Sequence, residues 1–174
     1  MKATLEAINQ MQADGVIGKY AIGGAVGATF YLEPAATLDV DIFVTLPAAR
    51  GGVLLGLAPI YDYLNARGHR VEHEHIVIGG WPVQFLASSG ELEQEAVEEA
   101  ITTAVEGVST RVMSAEHLVA IALRAGRSKD YARIVQFIEQ GAVDRKKLRG
   151  VLKRHGLISK WTKFESQYLG GAHE

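Results

Sequence analysis

Leu38-Asp39-Val40-Asp41-Ile42-Phe43-Val44 alternates apolar residues with two acids, the period of a strand buried on one face. Residues two apart on a strand point the same way, with Cα atoms about 7 Å apart, so both carboxylates reach one site. Leu38, Val40, Ile42 and Val44 then form the opposite, buried face. Ionised carboxylates on a half-buried strand are costly unless something positive compensates them. Two hard oxygen donors suit one Mg²⁺, or two ions about 3.5–4 Å apart, with phosphate oxygens and water completing the coordination. A nucleoside triphosphate supplies such oxygens. Alternating acids are equally the pattern of a solvated strand face, so their surroundings decide between the two.

Upstream, Tyr20-Ala21-Ile22 reads as a short strand, Gly23-Gly24 breaks it, and Ala25 to Leu32 resumes as a small-residue helix stopped by Glu33-Pro34. A glycine pair between a strand and a helix exposes backbone N–H groups and lets the main chain approach a phosphate. A turn needing positive φ explains the same pair, so its weight comes from the aspartates that follow.

Outward from this centre, Leu5, Ile8 and Met11 have helical spacing, closed by Asp14-Gly15. Thr37 to Val44 is the second strand and Val53 to Ala66 an amphipathic helix ending at Gly68. Arg70 to Ile78 and Trp81 to Leu86 read as two strands joined by a Gly79-Gly80 hairpin turn. Ser89 to Thr103 is acidic and helical, Val105 to Met113 is a last strand, and the remainder is helical. There Ser114, Ser128 and Asp144 are the expected N-caps, and Gly141 and Gly156 the stops. The succession predicts an α/β (α+β) fold: a mixed sheet flanked by helices over residues 1–113, and a helical C-terminal region, 114–174, packed on it.

With 174 residues and 48% hydrophobic content, the chain supports a substantial core. It has no cysteine, which excludes disulfides, thiolate metal sites and thiol nucleophiles and fits the reducing cytoplasm. No signal-like segment opens it and no apolar run approaches the ~20 residues of a membrane span, so neither secretion nor membrane insertion is expected. The net charge of −2 hides an asymmetry: residues 1–123 carry −9 and residues 124–163 carry +9. Such a split places a basic surface beside an acidic pocket, as a polyanion-using enzyme needs, or lets two parts of one fold attract each other.

Strand, glycine pair, helix and Asp-x-Asp strand together resemble the DNA polymerase beta-like nucleotidyltransferase superfamily, through Ile22-Gly23-Gly24 and Leu38-Asp39-Val40-Asp41-Ile42. Ser114-Ala115-Glu116-His117-Leu118, running on to Ala125-Gly126-Arg127-Ser128-Lys129-Asp130, is similar to the helical region of small bacterial members related to abortive-infection toxins. The resemblance implies transfer of a nucleoside monophosphate from a nucleoside triphosphate to an acceptor hydroxyl, with release of pyrophosphate. It makes Asp39 and Asp41 the Mg²⁺ ligands, for one ion or two, and makes Gly23 and Gly24 the cradle of the triphosphate. Lys129 becomes a phosphate contact, helped by the helix N-terminus, and Asp130 orients Lys129 or a ribose. A first-turn acid and a surface lysine account for the last two as well.

One departure stands out. The superfamily's third carboxylate falls in Pro82-Val83-Gln84-Phe85-Leu86, where this chain offers Gln84. An amide oxygen coordinates Mg²⁺ but cannot act as a carboxylate base. Another acid such as Glu72 or Glu74 substitutes, the substrate assists, or catalysis has been lost. The last case makes the protein a nucleotide-binding or protein-interaction module of toxin-antitoxin type.

Other motifs compete poorly. Glycines at 23, 24 and 27 do not give G-x-G-x-x-G, and no Walker lysine follows them. His69, His73 and His75 with Glu72 and Glu74 suggest a transition-metal site but read equally as a polar hairpin. Ser88 and Ser89 lack a nucleophile elbow. Arg145-Lys146-Lys147, Arg149, Lys153 and Arg154 could engage the phosphates of an RNA acceptor such as tRNA, with Tyr131, Trp161, Phe164 and Tyr168 as stacking surfaces. A solvated helix face with aromatics in the core explains them too, and a protein acceptor stays open. The sequence carries no sign of oligomeric state.

Overall fold

The computed structural model describes residues 1–33, 39–47 and 56–170. Leu38, the first apolar residue of the motif, and the expected helix start at Val53 lie outside them.

A seven-stranded mixed sheet forms the centre. Its strands are β1 (Tyr20–Ile22), β2 (Val40–Val44), β3 (Arg70–Glu72), β4 (His75–Ile78), β5 (Trp81–Ala87), β6 (Ile101–Val105) and β7 (Val108–Val112), in the order β3-β4-β5-β2-β1-β7-β6. β2 is parallel to β5 and antiparallel to β1, while β1 is parallel to β7. The helices are α1 (Lys2–Ala13), α2 (Gly24–Ala28), α3 (Ala58–Asn65), α4 (Glu91–Glu98), α5 (Ala115–Ala125), α6 (Ser128–Glu139), α7 (Arg145–Arg154) and α8 (Ile158–Tyr168).

Strand alternation divides the interior in two. Val40, Ile42 and Val44 of β2 are fully buried and pack with Val83 and Phe85 of β5, Ile76 of β4, Leu5, Ile8 and Met11 of α1, and Ile60 and Leu64 of α3. Phe43, on the other face of β2, joins Leu92 and Val97 of α4, Leu118 and Leu123 of α5, Ile134 and Phe137 of α6, Leu148 and Leu152 of α7, and Trp161 and Phe164 of α8. Burial on this scale is the main stabilising term, worth about 25 cal/mol per Å² of apolar surface. The Asp39 and Asp41 side therefore faces the α4–α8 layer.

Several boundaries differ from expectation. The stretch 70–78 is a hairpin of β3 and β4, because His73 adopts φ 58° and turns the chain where one strand is expected. The acidic helix stops at Glu98, and Ile101-Thr102-Thr103-Ala104-Val105 leaves it to pair with β7 across a Glu106-Gly107 turn, where both residues have positive φ. β-Branched side chains favour that outcome over helix. The small-residue helix is one short segment, Gly24–Ala28. Arg127, not Ser128, is the N-cap of α6, whereas Ser114 and Asp144 cap α5 and α7 as expected: Ser114 Oγ accepts from His117 N, and Asp144 Oδ1 from Lys146 N and Lys147 N. The Gly79-Gly80 turn joins β4 to β5, with φ of 59° and 82° that suit glycine.

Candidate active site

Register builds the first wall of the site. Gln84 of β5 pairs directly with Asp41 of β2. The β4–β5 register pairs Ile76 with Val83, and one residue further it places His75 beside Gln84. On the other side, Gly23 N donates to Asp41 O at 2.9 Å. His75, Gln84, Asp41 and Gly23 thus form one row across four strands, and Asp39 enters just ahead of β2. His75 Nε2 lies 3.3 Å from Asp39 Oδ2.

Helix α6 builds the second wall. Arg127, Lys129 and Arg133 line a cavity of about 340 Å³ together with Asp39, Asp41, Gln84, Gly24 and Asp130. Asp130 is 1% exposed and serves the helix: Oδ2 accepts from Arg127 N at 3.2 Å and Arg127 Nε at 2.6 Å, and Oδ1 accepts from the other end of the guanidinium at 3.1 Å. Burial alone would raise its pKa, but the Arg127 contacts hold it below the ordinary carboxylate value. Its partners are Arg127 and, at 3.9 Å, Arg133, so its bonds fix an arginine rather than Lys129.

Asp41 is pushed the other way. Burial is the main cause, the charge of Asp39 adds to it, and Arg133, Lys129 and Arg127 oppose both. Gly24 belongs to this arrangement, having φ 56°, and a Cβ there would fall against the Asp41 carboxylate, 2.8 Å from Cγ. Gly23 is set back from the cavity lining; a Cβ at that position would come within 2.6 Å of the Phe43 ring. The glycine pair therefore lets the chain turn tightly over Asp41.

Two carboxylates and an amide oxygen lining one cavity fit a divalent cation, which would relieve the burial and repulsion that raise Asp41. Asp39 and Asp41 are the residues that would hold it. The structure brings Gly24, Asp39, Asp41, Gln84, Lys129 and Asp130 together around one cavity. Sequence reasoning passed over Arg127 and Arg133 as site residues. The signal was present, since Lys129 and Arg133 are four apart on one helix and so share a face. The proposed histidine cluster does not assemble as a strand face, because His73 sits in the β3–β4 turn.

Two other features lack this character. Glu95, Glu99 and His117 bring ligand-type atoms within 4.8 Å of one another. Yet Glu95 already receives Arg154 through two nitrogens at 2.5 and 3.2 Å, His117 Nε2 at 3.0 Å and His155 Nε2 at 2.8 Å. That carboxylate is saturated. A larger cavity of about 560 Å³ lies at the opposite end of β2 and β5, beside Thr45 and Ala87, with Glu98 as its one titratable lining residue among those described.

No protein-family model matches the sequence, and no curated protein is significantly similar to it. The structure is similar to that of an antigenic nucleotidyltransferase-like protein from Paracoccidioides brasiliensis, with TM-score 0.55 and 13% identity over 95% of this chain and 89% of the other. It is similar also to the solution structure of the antibiotic-resistance factor ANT(2'')-Ia, with TM-score 0.54 and 15% identity over 97% of each chain. The fold is nucleotidyltransferase-like. No helix among the described residues is long and apolar enough to cross a membrane.

Proposed function

We propose that the protein is a cytoplasmic, divalent-cation-dependent nucleotidyltransferase, with the cation held by Asp39 and Asp41 and the triphosphate by Arg127, Lys129, Arg133 and the Gly24 backbone, while Gly23, its N–H given to Asp41 O, shapes the turn. One observation carries the reading: in a nucleotidyltransferase-like fold, paired carboxylates and three cations face each other across a single cavity. In the reaction an acceptor hydroxyl oxygen forms a bond to the α-phosphorus, the bond to the β-phosphate oxygen breaks, and pyrophosphate leaves with its charge. The hydroxyl proton is released to solvent or a nearby base. A bound cation would neutralise phosphate charge and lower the pKa of the acceptor hydroxyl. The α6 side chains orient the triphosphate, and Asp130 keeps Arg127 aimed by its paired hydrogen bonds. In this reading residues 1–113 carry the cation site and 114–174 supply the phosphate wall.

Incubation with labelled nucleoside triphosphates, Mg²⁺ or Mn²⁺, and either total RNA including tRNA or total protein is expected to move label into one acceptor pool. Label transfer unchanged in Asp39→Ala/Asp41→Ala protein would overturn the assignment. Gln84 opposite Asp41 favours a second reading, a catalytically impaired nucleotide-binding member of a toxin-antitoxin pair related to the abortive-infection proteins. That reading predicts saturable triphosphate binding by calorimetry with no label transferred to any pool.

A further inference from the structure

The pair of Asp41 and Gln84 is followed, two residues on along both strands, by Phe43 paired with Leu86. Residues two apart share a face, so the sheet side of the cavity passes from acid and amide to two apolar side chains within about 7 Å. Leu118, Ile121, Ala122 and Ala125 of α5 recur at the spacing of one helix face and line the same cavity. The core does not consume all of this surface, since Leu86 and Ile121 are half-buried and Ala125 is exposed. The cavity is thus polar toward Asp41 and α6 and apolar between the sheet and α5. Ala125 stands two residues before Arg127, so the apolar part begins where the cations end.

We propose that this apolar slot holds the nucleobase of the bound triphosphate without reading its identity, so that ATP, GTP, CTP and UTP are accepted alike. The base is tethered to the phosphates that the α6 cations would grip, and the slot is the apolar surface beside them. Among the described residues, its lining offers no side-chain hydrogen-bond donor. The main chain is engaged as well: β2 pairs with β5, Ala122 O accepts from Gly126 N, and Arg124 O accepts from Lys160 Nζ, both at 2.9 Å. An apolar slot discriminates weakly, whereas a site built of hydrogen-bonding groups rejects the ligand that leaves them unpaired. Stacking and apolar burial are open to every base, because each has a flat face. The inference rests on the triphosphate site proposed above and deepens it by naming the substrate class.

The test is calorimetric titration of the full chain, with Mg²⁺, by each of the four nucleoside triphosphates. Ribose 5′-triphosphate, which keeps the phosphates and the sugar and lacks the base, is titrated beside them. The four dissociation constants are expected to agree within about fivefold, with each at least about tenfold below that of ribose 5′-triphosphate. Ile121→Ala should weaken all four by a similar factor and leave ribose 5′-triphosphate binding unchanged. A spread wider than fivefold overturns the inference, as does an Ile121→Ala protein with a normal thermal midpoint that binds the four as wild type does. Should Ile121→Ala fail to fold, the wild-type comparison with ribose 5′-triphosphate decides the same point. If ribose 5′-triphosphate binds as tightly as the nucleotides, the triphosphate site stands and the nucleobase slot falls. If no triphosphate binds at all, the proposed function itself is refuted.

Discussion

Asp41 and Glu95 are both partly buried carboxylates, one on the sheet facing the α4–α8 layer and the other on α4 within it, and their surroundings treat them in opposite ways. Glu95 receives four hydrogen-bond donors from α5 and α7, and its pKa falls to about 2, chiefly through the Arg154 guanidinium and then the two histidines, against the cost of burial. Asp41 faces a cavity in which burial and Asp39 raise its pKa, and the α6 cations offset this only in part. A saturated carboxylate holds helices together. An under-compensated one, held in place by a glycine with no room for a Cβ, is the kind of acid that waits for a ligand.

The contrast can be broken by experiment. The largest effect is expected at the cavity, where Asp41→Asn should lower nucleotidyl transfer on the order of 10³-fold, measured as kcat/KM. The same variant should unfold at the wild-type temperature or above it, since it removes a charge that burial disfavours. Next comes Glu95→Gln, which should cost about 2 kcal/mol at pH 7, a fall of about 4–8 °C in the thermal midpoint by differential scanning calorimetry.

That loss should depend on pH. The folded pKa of Glu95, about 2, lies below its unfolded value of 4.5, so its stabilisation is present above pH 4.5 and fades as pH falls toward 2. Wild type and Glu95→Gln should therefore converge in stability at low pH. Asp41 has the opposite sign: its folded pKa is raised, so its cost is full at neutral pH and disappears below the unfolded value of 3.8. An Asp41→Asn gain in stability that persisted to pH 3 would contradict this difference.

Smaller changes sharpen the comparison. Gly24→Ala forces a φ of 56° on alanine and sets its Cβ against the Asp41 carboxylate, which should cost about 1–2 kcal/mol in urea unfolding and lower activity with it. Lys129→Ala, at an exposed position, should raise the KM for the triphosphate several-fold and leave the unfolding midpoint unchanged.

Local pattern explains which parts of the molecule were legible in sequence. Leu5, Ile8 and Met11, the alternation around Asp39 and Asp41, and the caps at Ser114 and Asp144 are short-range signals, and each marks an element of the structure. The β3–β4 turn was hidden because it runs through His73-Glu74, where no glycine, proline or asparagine announces a reversal. β6 was hidden because its β-branched run follows an acidic helical stretch without a break, and tertiary pairing with β7 decided its state. In the candidate site, the aspartates and glycines carried a spacing that can be read along the chain. The line from His75 through Gln84 to Asp41 depends on strand order, which no local window contains.

The cavity with acids on one wall and cations on the other has a consequence for the order in which it fills. A lone cation is repelled by the arginines and a lone polyanion by the aspartates, so each ligand relieves the obstacle that the other meets. Under the proposed function their affinities would be thermodynamically linked, with each raising the other by the same factor. Walls of this kind would favour a near-neutral pair over either partner by itself, a two-key lock set before any bond is made.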